Sequence, residues 1–151
     1  MSLQEGRLLG IAVREKSRGS MEEMESLAVT TSQGLVGDFR GKPGPRQVTV
    51  LAREDWNSAC ETLGKDLPWT VRRANLLIEG VKLRETTGSI IRIGELTLQV
   101  MGETDPCSRM DETEPGLREA LLPDWRGGVC CRVVEEGEIS LGASVIMEFP
   151  S

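Results

Sequence analysis

Ile90-Ile91-Arg92-Ile93-Gly94-Glu95-Leu96-Thr97-Leu98-Gln99-Val100 decides the fold class. Two short runs of aliphatic and β-branched residues flank a Gly-Glu pair, the pattern of two antiparallel strands joined by a two-residue turn. The same signature recurs on both sides. Leu9, Ile11 and Val13 alternate near the start, Gln47 to Leu51 forms a second run, and two more follow at residues 129–134 and 144–149. Seventeen glycines punctuate these runs, as in chains of many short strands and turns. Strands spread over the whole length without regular βαβ alternation predict a mainly β, barrel-like architecture, closed or nearly closed, with a few short peripheral helices. No internal repeat or low-complexity tract divides the 151 residues, so residues 1–151 read as a single domain.

Helical spacing is clear twice. Trp56, Ala59, Cys60 and Leu63 share one face behind Glu54 and Asp55, with Gly64 as a stop. Leu117, Ala120 and Leu121 mark a shorter helix between Pro115 and Leu122. Residues 15–26 and 41–45 read as surface connections.

The bulk numbers restrict function. A formal charge of −6 and a pI near 4.8 oppose non-specific attraction to nucleic acid or anionic lipid. No apolar run approaches membrane-spanning length, and the opening MSLQEGRLLG lacks the pattern of an export signal, so a cytoplasmic, non-membrane chain is expected. Cys60, Cys107, Cys130 and Cys131 are therefore expected as reduced thiols. The chain has no histidine, which excludes Ser-His-Asp catalysis and disfavours a protein zinc site.

Three stretches carry candidate chemistry. Thr104-Asp105-Pro106-Cys107-Ser108-Arg109-Met110 puts a thiol in a loop directly after a strand; Pro106 restricts the turn and Arg109 favours a thiolate, while Asp105 and Asp111 oppose it. A buried, inert cysteine is the alternative at Cys107. Arg46, Arg72, Arg73 and Asn75 stand at the starts of strands, where guanidinium and amide groups suit an anionic, hydrogen-bond-rich ligand, although solvated charges would look the same. Arg126-Gly127-Gly128 adds an arginine and unobstructed backbone N–H groups, or simply a turn. Asp38 in Gly37-Asp38 reads as a cap for nearby backbone donors. Cys60 falls on the apolar helix face, and Cys130 and Cys131 on opposite faces of one strand.

In order, GLVGDFRG (34–41), RQVTVLAREDW (46–56), RRANLLIEGVKL (72–83), TGSIIRIGELTLQV (87–100), DPCSRMD (105–111), RGGVCCRVVEEG (126–137) and ISLGASV (139–145) resemble the MOSC (molybdenum-cofactor sulfurase C-terminal) domain family over nearly the entire chain. The resemblance implies a mostly β barrel whose characteristic cysteine is Cys107, handling sulfur or ligating molybdenum. It further implies a molybdenum cofactor (molybdopterin), held by Arg46, Arg72, Arg73, Asn75, Arg109, Arg126, Gly127 and Gly128. A soft thiolate suits both roles, as a metal ligand and as a persulfide.

Three functions follow from that resemblance: a cofactor-binding or sulfur-carrier module served by sulfur donor or acceptor proteins, a molybdenum-dependent reductase of N-hydroxylated compounds fed by separate electron-transfer proteins, and an interaction domain that has lost its ligand. Many relatives carry His after the Gly-Asp turn, where this chain continues Phe39-Arg40, and some carry an acidic residue between Arg and Asn, where it has Ala74. Both departures favour carrier over catalyst.

Overall fold

The structure, a computed structural model, describes residues 3–149. In chain order the elements are β1 (Leu3–Val13), β2 (Glu22–Glu23), β3 (Ser26–Thr30), β4 (Gly34–Leu35), β5 (Val48–Ala52), α1 (Arg53–Leu63), β6 (Leu76–Glu79), β7 (Ile90–Ile93), β8 (Leu96–Glu103), α2 (Arg109–Thr113), α3 (Leu117–Leu121), β9 (Val129–Glu135), β10 (Gly137–Ser140) and β11 (Ser144–Glu148). Short 3-10 turns at Trp69–Arg72 and Pro123–Trp125 complete them.

The β7–β8 hairpin forms as its sequence dictates, with Ile93 opposite Leu96 and Gly94 at φ +59°, the left-handed conformation that tight two-residue hairpins demand and glycine adopts without penalty. Strands β1, β11, β7, β8, β9, β5 and β6 pair in that order, and β1 pairs β6, closing a seven-stranded barrel. A ring with an odd number of strands cannot alternate direction throughout. The one parallel joint is β5 to β6, with Val50 opposite Leu76 and Ala52 opposite Ile78. Parallel neighbours need a crossover connection, and α1 with the Trp69–Arg72 turn supplies it.

That joint explains why the chain has two cores. Inward side chains from alternate positions fill the barrel, among them Ile11, Val50, Ile78, Ile91, Leu98, Cys131 and Val145. On the outer face of β5 and β6, Leu51 and Leu77 meet Trp56, Ala59, Cys60, Met110, Leu117 and Leu121 from the three helices. Parallel strands are ordinarily covered on both faces in this way. Trp56 is 3% exposed and its indole N–H donates to Leu67 O at 2.9 Å, so truncating it to Ala would cost about 3–5 kcal/mol. Gly64 ends α1 at φ +76°.

Cys131 faces the barrel core, where burial pushes its thiol far up. Cys130, on the opposite face, is also buried and its thiol donates to Gly102 O at 3.5 Å. Two sequence readings need adjustment. Arg109 and Met110, read as the end of a loop, begin α2, and the expected helix at 115–122 is shorter, Leu117–Leu121. Residues 15–26 are more than a connection, because Glu22–Glu23 pairs with the end of β1. Among the described residues no helix is long and apolar enough to cross a membrane.

Candidate functional site

At the end of the barrel where β5 and β6 begin and β1 and β8 finish, a cavity of about 650 Å³ opens to solvent. Its lining comes from five separate pieces of chain. Arg14 follows β1; Arg18 and Met21 lie beyond it; Asp38, Arg40 and Arg46 belong to the loop before β5; Arg72, Arg73 and Asn75 precede β6; Thr104, Asp105, Pro106, Cys107, Arg109 and Met110 follow β8. Seven arginines thus face three carboxylates, Asp38, Asp105 and Glu112, in a chain whose formal charge is −6. Among the described residues four ion pairs form, and none includes a cavity arginine.

Electrostatic coupling links six of the seven arginines in two groups. Burial first, then the neighbouring charges of Arg73, Arg40 and Arg109, hold the Arg14 guanidinium below its ordinary value, with Asp38 opposing. Arg73 is lowered likewise, by burial and then by Arg109. The second centres on Arg72: burial lowers it most, Arg46 lowers it further, and Cys107 and Asp105 act the other way. Like charges that outnumber the nearby carboxylates create a positive field that an anion would relieve.

Backbone geometry brings them together at some expense. Arg18 and Arg73 adopt φ of +63° and +66°, the left-handed region that costs a non-glycine residue about 1 kcal/mol or more. Asp38 fixes the approach of its loop: its carboxylate accepts from the backbone N–H of Arg14 at 3.1 Å and of Arg40 at 3.2 Å. The capping role read from Gly37-Asp38 is therefore present, and it leaves the side chains of Arg14 and Arg40 without a fixed acid partner.

Cys107 is exposed and lines the cavity, whereas Cys60, Cys130 and Cys131 are buried. Arg46, Arg72, Arg73, Asn75 and Arg109 line the cavity with it. Arg126 does not. Its guanidinium donates to Ala120 O at 3.0 Å and Thr62 Oγ1 at 3.1 Å, on the side of α1 and α3. Gly127 and Gly128 are also absent from the lining, and their lack of side chains answers to packing. A Cβ on Gly127 would lie 2.7 Å from Thr104 O and 3.0 Å from Arg72 Nη2; one on Gly128, at φ +91°, would lie 2.2 Å from Val50 O.

Asn75 reaches the cavity with its amide already engaged, accepting from Thr49 N and Oγ1 and donating to Ala12 O at 3.2 Å. Sequence reasoning missed Arg14, Arg18, Arg40 and Thr49. For Arg14 a signal existed, since an arginine immediately beyond an alternating strand is the counterpart, at a strand's end, of the strand-start arginines Arg46 and Arg72. Thr104 Oγ1 is buried without a hydrogen-bond partner, an anomaly for a polar atom in a well-packed protein.

Among the described residues no three His, Cys, Asp or Glu side chains converge to hold a bare metal ion. One exposed sulfur amid guanidinium groups outside any ion pair suits instead a metal that arrives already chelated by an anionic organic ligand.

A closed, mainly β barrel with a single exposed thiol at an arginine-lined mouth defines the class of protein. The chain belongs to the MOSC domain family, whose model matches residues 36–146, a family associated with molybdenum-cofactor binding and sulfurase-like roles. Among solved structures the YuaD protein of Bacillus subtilis superposes with a TM-score of 0.85 over 99% of both chains at 19% identity. YiiM of Geobacillus stearothermophilus matches at 0.76 over 94% of this chain and 74% of its own, with 19% identity, and YiiM of Escherichia coli at 0.71 over 96% and 70%, with 21% identity. At these identities the likeness is one of fold. No curated protein matches the chain.

Proposed function

We propose that this chain binds a molybdenum–pterin cofactor at the barrel mouth, with Cys107 as the protein's sulfur contact. The observation that carries the reading is the pairing of one exposed thiol with seven arginines, none of them in an ion pair among the described residues.

In this reading Arg14, Arg40, Arg73 and Arg109 hold the phosphate of the cofactor. Guanidinium forks match phosphate oxygens bidentately, and a dianion relieves their mutual repulsion. Arg46 lines the same cavity, and the orphaned Thr104 hydroxyl is a donor or acceptor for a polar edge of the pterin. The bound group would supply a redox-active metal. The chain supplies the soft ligand, the anion clamp and a wall of barrel side chains beneath them.

The exposure of Cys107 supports a second role for the same sulfur. As a nucleophile it attacks the outer sulfur of a donor protein's persulfide; the donor's S–S bond breaks, a new one forms on Cys107, and the donor cysteine leaves as a thiol, with no net redox change. Sulfur donor and acceptor proteins are the partners this role requires. Reductase chemistry would instead require separate electron-transfer proteins.

Two anaerobic incubations test the proposal. Protein mixed with released molybdenum cofactor should retain molybdenum and pterin on gel filtration, and protein mixed with a low-molecular-weight persulfide should gain one sulfur atom on Cys107 by intact-mass and peptide analysis. Cys107→Ser should lose the sulfur adduct and retain less cofactor. Wild-type protein that takes up neither would overturn the reading.

A further inference from the structure

The segment between β8 and β9 leaves the barrel after Glu103, carries Cys107, α2 and α3, and returns at Val129. Its two stems meet where Thr104 N donates to Gly128 O at 2.9 Å. Into this neck projects Arg72, from a different part of the chain. Its Nη2 donates to Thr104 O at 2.9 Å on one stem, and its Nε donates to Gly127 O at 3.1 Å on the other. A third, weaker contact runs from Nη1 to the Met110 sulfur at 3.6 Å, on the first turn after Cys107.

We infer that Arg72 is the positioning residue for Cys107: one buried guanidinium pins both stems of the excursion that presents the thiol and fixes a positive charge beside it. The inference rests on the proposed role of Cys107 only in supposing that the position of this sulfur matters.

Four features converge on it. Arg72 is 7% exposed, and its three hydrogen-bond acceptors are neutral, so its charge is held in place without an ion pair. Gly127 has no side chain because the guanidinium and Thr104 O occupy that space. The turn presenting Arg72 is rigid: Val71 N donates to Pro68 O, Arg73 N donates to Thr70 O, and Arg73 closes the turn in the left-handed region. A planar fork is required, because two carbonyls in different directions are met by the rigid geometry of Nε and Nη2, whereas an ammonium on a flexible stem is a single point. An arginine expected from sequence to grip the ligand is thus mainly committed to the protein.

Arg72→Met and Arg72→Lys, compared with wild type, test this without any cofactor. Hydrogen exchange followed by mass spectrometry reads the clamp. In both variants amides of residues 105–126 should exchange about ten- to a hundredfold faster, while β1, β7 and β11 remain as in wild type. The ratio of Cys107 alkylation by anionic iodoacetate to that by neutral iodoacetamide reads the charge. It should fall severalfold in Arg72→Met and recover in Arg72→Lys, which a merely structural residue would not produce. Wild-type exchange in residues 105–126 together with an unchanged alkylation ratio would overturn the inference. If Arg72→Met fails to fold, Arg72→Lys decides: faster exchange in 105–126 supports the clamp, and wild-type exchange removes it. Neither readout involves the cofactor, so failure here leaves the ligand role of Cys107 standing, and failure of cofactor binding leaves the clamp standing.

Discussion

Thr49 and Asn75 hold each other across the one parallel joint of the barrel: Asn75 Oδ1 accepts from Thr49 N at 3.0 Å and Thr49 Oγ1 at 3.2 Å, and Asn75 N donates to Thr49 Oγ1 at 3.0 Å. The same amide donates to Ala12 O of β1, so one buried side chain ties β5, β6 and β1 at the floor of the cavity. Asn75→Ala leaves these groups unsatisfied and should destabilise the fold by about 2–4 kcal/mol. Urea or thermal unfolding measures this. A change under about 0.5 kcal/mol, the size of an ordinary surface substitution, would refute the structural role.

Gly128→Ala should be at least as damaging. Its backbone is left-handed, and the added methyl would enter the space of Val50 O in the adjoining strand β5. Backbone strain plus displacement of that strand predicts a loss of about 3 kcal/mol or more, seen as a lower denaturant midpoint. Wild-type stability would show that these glycines serve something other than close approach.

Inorganic phosphate should stabilise the protein beyond its effect on ionic strength. At a concentration about a hundredfold above its Kd, a ligand of the native state adds about 2.7 kcal/mol, read as a rise in Tm against a chloride control of equal ionic strength. Arg14→Ala and Arg73→Ala should remove most of that increment. An equal response in the variants would place the anion elsewhere.

Asp55, on α1 and partly buried, has its carboxyl pushed up to about 6, first by burial, then by Glu54 and Asp124, against the pull of Arg126. A carboxyl raised from 3.8 penalises the native state wherever it is ionised. The penalty is fully present above pH 6 and is relieved as the pH falls from about 6 to 4. Asp55→Asn should therefore be more stable than wild type at pH 7.5, by about 1 kcal/mol once its partial exposure is discounted. That advantage should vanish near pH 4. Chemical denaturation at several pH values checks it, and a pH-independent difference would contradict it.

The barrel was legible in the sequence because period-two alternation is a local signal. Ile90 to Val100 specifies its own hairpin, and Trp56, Ala59 and Cys60 specify the buried face of α1 before any partner is known. The parallel joint was not legible, since β5 and β6 look like any other apolar run and only ring closure with seven strands forces two of them to run together. The cavity was half legible. Cys107, Arg46, Arg73 and Arg109 stand out by type and position. Arg14 joins them where Asp38, 24 residues further along the chain, accepts its backbone N–H, a relation that no local pattern announces. Arg126 misled for the same reason in reverse: it adjoins Gly127 in the chain, yet its side chain leaves towards α1 and α3.

Metal and pterin analysis of native protein purified without oxygen, for wild type and Cys107→Ser in parallel, reads the Cys107 contact most directly. Molybdenum and pterin stoichiometric with the wild-type chain, and depleted in a Cys107→Ser protein of unchanged Tm, is the predicted result. Equal molybdenum and pterin in the two proteins would contradict it.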